Sequence, residues 1–197
     1  MKLIDARKDH YRKLAHEQGF RSRAAFKLKE LNQSYRLIGP GFYVLDLGCA
    51  PGGWTQMAVK LTGNQGKVMG VDLSYVEEIP NAYLIRENIE DEHVIDEVMT
   101  YFGRKVNAVI CDLSPKVSGN WSVDHAKQIS LNYDCVKILD KVLANKGNAV
   151  FKIFDGEYSM EFKDYVKKKF ARINLTKPKA SRKQSSELYC VCLGFIG

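Results

Sequence analysis

The sequence predicts an α/β fold, a mostly parallel β-sheet with helices on both faces. Two observations carry this. Strand-like apolar runs alternate with segments of helical period along most of the 197 residues, the pattern of a sheet built from crossover units. In addition, four residues that can do chemistry, Asp46, Asp72, Asp112 and Lys152, fall at or near predicted strand ends, where open α/β sheets bind their ligands.

The elements follow in order. Ser22 is the predicted N-cap of a helix whose apolar residues Ala24, Leu28, Leu31 and Tyr35 recur at helical spacing. Gly39-Pro40-Gly41 stops it. Residues 43–47 read as a buried strand, ending in a glycine-rich turn, and a helix follows over 54–61. Strands are predicted at 67–72, 82–85, 106–112 and 147–153, with helices at 92–102, from about 124 to 144, and at 158–170. Two final β-rich runs, 172–176 and 188–195, are joined by a connection too short for a crossover helix, so an antiparallel pair at one edge is expected.

Composition narrows the class. Apolar residues make up 45% and charged residues 27%, which is globular and excludes whole-chain disorder and collagen-like or coiled-coil readings. No apolar run approaches the ~18 residues of a membrane helix, and Met1 to Arg7 lack the apolar stretch of a secretory signal. A cytoplasmic protein is expected. The five cysteines, Cys49, Cys111, Cys135, Cys190 and Cys192, include no CxxC pair and read as structural thiols, with no metal site. Net charge is +7, unevenly spread: +6 over residues 1–41, −6 over 42–166 and +7 over 167–187. Basic ends around an acidic middle suit a polyanion-binding rim about a site for a ligand that is not itself a polyanion.

The turn Asp46-Leu47-Gly48-Cys49-Ala50-Pro51-Gly52-Gly53-Trp54 joins the first strand to its helix. Glycines let a ligand approach the backbone, and the helix start offers free N–H groups. Asp72, at the end of the next strand, suits a carboxylate accepting from two ribose hydroxyls. The spacing is neither the GxGxxG dinucleotide fingerprint nor a P-loop. This disfavours a nicotinamide oxidoreductase and favours an adenosine-bearing ligand without a pyrophosphate, S-adenosylmethionine first. The same turn can also serve only to pack strand on helix, with Asp46 a buried turn-former.

Five blocks now resemble a known family: residues 21–28 (RSRAAFKL), 46–54 (DLGCAPGGW), 112–115 (DLSP), 151–154 (FKIF) and 185–189 (SSELY). Together they are similar to the FtsJ/RrmJ family of S-adenosylmethionine-dependent RNA ribose 2′-O-methyltransferases, over nearly the whole chain. The resemblance implies a class I methyltransferase (Rossmann-like) fold, a seven-stranded mostly parallel sheet with one antiparallel strand. It implies one such domain over 1–197, with 1–41 a basic N-terminal helical extension packed on it. It implies a catalytic tetrad at Lys27, Asp112, Lys152 and Glu187. The implied cofactor site is Asp46, Gly48, Pro51, Gly52, Gly53, Trp54, Asp72, Asn88, Ile89 and Asp112. Many members carry Asp where this chain has Asn88; an amide oxygen can still accept from an adenine amino group.

The reaction so implied is in-line attack of a ribose 2′-oxygen on a sulfonium methyl, which needs alignment and removal of a proton. Lys152 is the central group, either a neutral base or a protonated positioner. Arg21, Arg23, Lys177, Lys179, Arg182 and Lys183 are expected on RNA phosphates. Trp121 or Tyr189 can stack on a base, although core packing is the ordinary role of either ring. The implied substrate is a ribose, a uridine, in large-subunit (23S-type) ribosomal RNA or the large ribosomal subunit, acted on by a monomer. The alternatives are anticodon-loop methylation of transfer RNA and a non-catalytic RNA-binding assembly protein.

Overall fold

Alternation of strand and helix becomes a single sheet in the computed structural model, which describes residues 3–182 and 184–197. Among these residues the elements run α1 (Leu3–Glu17), α2 (Ala24–Tyr35), β1 (Tyr43–Leu47), α3 (Gly53–Thr62), β2 (Lys67–Asp72), β3 (Ala82–Arg86), α4 (His93–Phe102), β4 (Val106–Cys111), α5 (Trp121–Val142), β5 (Leu143–Phe154), α6 (Ser159–Lys167), β6 (Phe170–Thr176) and β7 (Glu187–Phe195). The strand order is β3-β2-β1-β4-β5-β7-β6. Neighbours among the first five are parallel. β7 is antiparallel to both β5 and β6 and lies between them. None of the described helices is long and apolar enough to cross a membrane.

The period-2 geometry of strands sorts the core into two layers. Leu45, Met69, Val109, Phe151 and Cys190 face α4, α5 and α6. Val44, Val68, Ile110, Val150 and Val191 face α2 and α3, with Ala15 of α1 and Phe20 completing that side. Asp46, Lys152 and Tyr189 share the parity of this second set, so the sheet carries them toward α2 and α3. All five cysteines are free and buried, and Cys190 and Cys192 face the same way with their sulfurs 3.8 Å apart.

Three local expectations are corrected. Ser22 is not a cap: α2 starts after Arg23, which is already helical and makes no side-chain cap bond. The Ser22 hydroxyl instead turns inward without a partner, against Gly53, where an added Cβ would lie 2.2 Å from it. The tight approach of α2 to α3 takes the hydroxyl away from the helix end. β5 begins at Leu143, not at Gly147, because a register shift between Val106 and Ala108 and a left-handed Lys146 absorb the break that Asn145-Lys146-Gly147 signals. α6 ends at Lys167 because Phe170 is needed as the buried first residue of β6, its ring 5.3 Å from Phe195.

Candidate active site

The glycine-rich turn and the carboxyl ends of β1 to β5 enclose a cavity of about 750 Å³. It opens where strand order reverses, between β1 and β4, the place at which doubly wound sheets bind ligands. Gly48, Asp72, Asn88, Ile89, Asp112 and Lys152 line it. Gly48 is left-handed (φ 79°) and lies so close to Leu113 that a Cβ would come within 2.4 Å. Asp72 fixes the turn: Ala50 N–H donates to one carboxylate oxygen at 2.9 Å and Ser74 N–H to the other at 2.8 Å. Each oxygen keeps a further lone pair.

The other predicted loop residues do not line the cavity. Gly52 (φ 111°) caps α3, preceded by the Ala50–Pro51 bond, which is cis. Gly53 receives the start of α2. Trp54 is buried, donates from its indole N–H to Ala24 O at 2.8 Å and stacks on Tyr189. Asp46 is fully buried; Thr55 Oγ donates to its Oδ2 at 2.6 Å, while Oδ1 has no partner. Burial pushes the Asp46 carboxyl up to about 7, against the Thr55 bond, with Asp112 and Asp72 adding to the rise.

The four residues of the implied tetrad come together from four elements. β5 pairs Lys152 with Tyr189 and Phe154 with Glu187 across β7; Asp112 follows β4 next to Lys152; α2 lays Lys27 over β7. Both lysines are about 5% exposed. Lys152 Nζ donates to Asp112 O at 2.6 Å and lies 3.3 Å from Asp112 Oδ1. Lys27 Nζ meets Glu187 Oε2 at 2.8 Å. Burial raises the Glu187 carboxyl, but its ion pair and hydrogen bond with Lys27, the charge of Lys152 and the Ser185 hydroxyl outweigh that and hold it below the usual range. It is therefore ionised at neutral pH.

Tyr189 links the two ion pairs. Its hydroxyl donates to Asp112 Oδ1 at 2.8 Å and accepts from Lys27 Nζ at 3.2 Å. The ring is fully buried, so both the core role and a polar role apply, and base stacking does not. Burial and the charges of Asp112 and Glu187 push the phenol well up, so it remains a donor. The sequence also gave no hint of Gln128 and Asn132, polar residues buried on α5. Both amides donate to Lys152 O, at 3.0 and 2.8 Å, just beyond the last β4–β5 pair. A buried polar residue at the inner face of a predicted helix was the available signal.

The two basic segments converge. Glu30 of α2 accepts from Lys179 N–H at 2.6 Å. Arg23 and Arg182 line one hollow of about 390 Å³ with Gln184, Ser185 and Glu187. Burial and the neighbouring Arg182 lower the Arg23 pKa, with Glu187 and Tyr189 opposing. Lys179 and Arg182 are exposed. Lys177 is exposed, and its Nζ donates to Ser185 O; Lys183 lies outside the described residues. Arg21 behaves differently. Its guanidinium donates to the carbonyls of Glu77 (2.7 Å), Glu78 (2.8 Å) and Pro51 (3.5 Å), and its N–H donates to Gln56. It straps the loop after β2 to the glycine-rich turn.

The strand order, the glycine turn after β1 and the acidic residue ending β2 define a class I S-adenosylmethionine-dependent methyltransferase fold. A family model for FtsJ-like methyltransferases matches residues 20–195, and the chain belongs to that family. It is 88% identical, over the full length of both chains, to the "Ribosomal RNA large subunit methyltransferase E" of Nitrosopumilus maritimus. It is 62% identical, again over both full lengths, to the protein of that name from Cenarchaeum symbiosum. A crystal structure of a ribosomal RNA methyltransferase from Plasmodium falciparum superposes with a TM-score of 0.82 at 29% identity, covering 90% of this chain and all of that one.

The residues present fit S-adenosylmethionine. Asp72, Asn88 and Asp112 offer acceptors along a cavity open to the close backbone approach of Gly48, a set suited to ribose hydroxyls, an adenine amino group and an α-ammonium. Asp46 Oδ1 is an acceptor left over just before the turn.

Asp46 also yields a test. Between its ordinary range and about 7 the folded chain holds a proton that the unfolded chain releases, so this group's contribution to stability falls as pH rises through that window. In ligand-free protein, Asp46→Asn therefore unfolds at a higher temperature than wild type near about pH 8, and the gap narrows at about pH 5, closing only toward the ordinary carboxylate range. Thermal unfolding at both pH values checks it; a lower midpoint for the variant at the higher pH contradicts a buried, uncompensated carboxylate.

Proposed function

We propose that this chain transfers a methyl group from S-adenosylmethionine to the 2′-oxygen of a ribose, a uridine ribose, in large-subunit ribosomal RNA. The observation that carries the chemistry is Lys152, a buried amine at the wall of the cavity, oriented by Asp112 through both its carbonyl and its carboxylate. The relatives' names support the substrate, and the meeting of two basic segments beside Glu187 supports a polyanion.

Bound S-adenosylmethionine supplies a methyl carbon made electrophilic by its sulfonium. Asp72, Asn88 and Asp112 would hold it, and its neutral thioether would be the leaving group; the chain's own part is to orient the ribose 2′-hydroxyl toward that methyl and to take the hydroxyl proton at Lys152 Nζ. A neutral Lys152 gives two N–H groups to Asp112 and keeps its lone pair for that proton. Lys27, paired with Glu187, fixes the Tyr189 hydroxyl, which in turn fixes Asp112. Gln128 and Asn132 hold the Lys152 backbone. A ribose whose oxygen sits within hydrogen-bond reach of Nζ is then both aligned and deprotonated.

The direct test is transfer of a labelled methyl to RNA that lacks the modification, followed by size separation and alkaline hydrolysis. A 2′-O-methyl blocks cleavage at its own phosphodiester, so the label is expected in alkali-resistant dinucleotides from the large-subunit RNA. Label in the transfer-RNA fraction overturns the substrate, and alkali-labile label overturns the ribose assignment.

Lys152→Ala should lower kcat by about 10²–10⁴-fold with S-adenosylmethionine affinity kept. Lys152→Arg, a cation that cannot take the proton, should be comparably slow, and an active arginine variant makes Lys152 a protonated positioner instead.

Arg21 and Arg23 separate by salt dependence. Arg23→Ala should reduce the slope of log affinity for RNA against log salt by about 0.7–0.9, one phosphate contact. Arg21→Ala should leave that slope unchanged and weaken S-adenosylmethionine binding about tenfold by freeing the strapped loop. Equal slope losses in both variants return Arg21 to the phosphate-binding set.

A further inference from the structure

One group of aromatic side chains has no part in the chemistry above. Phe154 ends β5 two residues past Lys152, on the same parity, opposite Glu187. The indole of Trp121, first residue of α5, stacks on it, with centroids 5.7 Å apart and planes at 30°. Trp121 also stacks on His125 at 6.0 Å and 14°, and His125 on Tyr158 at 5.5 Å and 11°. The four rings form one near-parallel row at the end of β5, the strand that carries Lys152. Phe154 and His125 are buried, but Trp121 is 49% and Tyr158 39% exposed. Half of the indole is therefore free to meet a flat partner.

The row is held rigid before anything binds. His125 Nε2 accepts from Tyr158 N–H at 3.0 Å, locking the turn after β5 onto α5. Gly156 lets that turn lie flat, since a Cβ there would come within 2.9 Å of the imidazole. The start of α5 is tied by Asp124, which accepts from Ser118 N–H at 2.7 Å and Oγ at 2.8 Å and from Gly119 N–H at 3.2 Å. Ordered rings lose little entropy on binding a flat partner.

Charge selects that partner. Asp155 and Glu157 are exposed on the turn between Phe154 and Tyr158, close enough to act on His125. They repel phosphates and offer acceptors to base N–H groups. Two guanidinium groups, Arg23 and Arg182, share a hollow with Glu187, and Lys116 and Lys127 line the main cavity. An RNA strand with its backbone on the cations and one ribose at Lys152 turns a neighbouring base toward Phe154 and Trp121. We propose that Trp121 and Tyr158 form a stacking platform for an unpaired nucleobase adjacent to the methylated nucleotide. This deepens the RNA ribose reading above and rests on it.

Trp54 is buried and Trp121 is the chain's other tryptophan, so collisional quenching by acrylamide in the intact protein reports on Trp121. Protein-free large-subunit RNA should shield it; heparin, a polyanion without bases, should occupy the cationic rim and leave it quenchable. Trp121→Ala and Tyr158→Ala should raise KM for RNA about 5- to 100-fold, the worth of a stacked base. S-adenosylmethionine affinity should stay unchanged, and Trp121→Phe, which keeps a ring on Phe154, should recover most of the loss. An indole equally quenchable with and without RNA, shielding by heparin, or a wild-type KM in Trp121→Ala overturns the platform. Shielding by assembled large subunits but not by the RNA extracted from them assigns the face to a protein and also overturns it. The quenching readout needs no turnover, so it stands apart from the alkali test: shielding with alkali-labile label sinks the ribose reading and keeps a base-stacking face.

Discussion

Two lysine side chains buried where β5 and β7 pair set the terms for the rest of the molecule. Lys27 and Lys152 are both almost wholly removed from water, and a buried amine left without hydrogen-bond partners is costly, the more so when it is charged. The chain answers with two carboxylates, Glu187 and Asp112, and with one phenol that binds to both pairs. Such a cluster needs side chains from α2, β4, β5 and β7 in register at once. The antiparallel insertion of β7 between β5 and β6 supplies this. It sets Tyr189 beside Lys152 and Glu187 one pair further toward the site's mouth on the same face. A parallel strand in that place would reach the site with its carboxyl end, and the segment 167–187, with most of the C-terminal basic charge, would then lie at the opposite edge.

The same constraint explains why α2 cannot be a loose appendage. Its Lys27 is half of an ion pair, so the helix must be fixed to within hydrogen-bond tolerance. Trp54 provides one tie, its indole N–H on Ala24 O and its face on Tyr189. Gln56 provides another, bonded to Arg21 N–H and to Gly19 O. Arg21 extends this tie to the loop that follows β2. The turn before α2 is thus continuous with the wall of the cavity at the strand ends. The segment that carries the N-terminal basic charge and the loop that edges that cavity are one mechanical unit.

Much of this was legible in the residues because it is written in local pattern. Strand ends placed Asp72, Asp112 and Lys152, and the glycine turn placed Gly48, through periodicities of two and 3.6. What was not legible depends on register between distant segments. Tyr189 sits in Leu188-Tyr189-Cys190-Val191, which reads as plain core; only its pairing with Lys152 reveals the hydroxyl's partners. Arg21 looks like surface charge because the carbonyls that hold it are 30, 56 and 57 residues away. Ser22 looks like a cap because its sequence position is that of one, and the close approach of Gly53 that defeats it is tertiary. Cofactor residues read from the loop as a block separate in space: Gly48 borders the cavity, while Pro51, Gly52, Gly53 and Trp54 build the joint behind it.

Charge placement follows from the same architecture. The basic termini of the sequence are far apart along the chain, yet α2 and the segment before β7 meet because both must deliver a residue to one cluster. Lys27 and Glu187 cannot form their ion pair without bringing Arg23 toward Arg182, and Glu30 secures the approach through Lys179 N–H. Two guanidinium groups brought together in this way repel each other, and burial already lowers the Arg23 pKa. A polyanion relieves both costs. The buried Lys-Asp-Lys-Glu cluster and the basic surface beside it are therefore a single solution to the burial of Lys27.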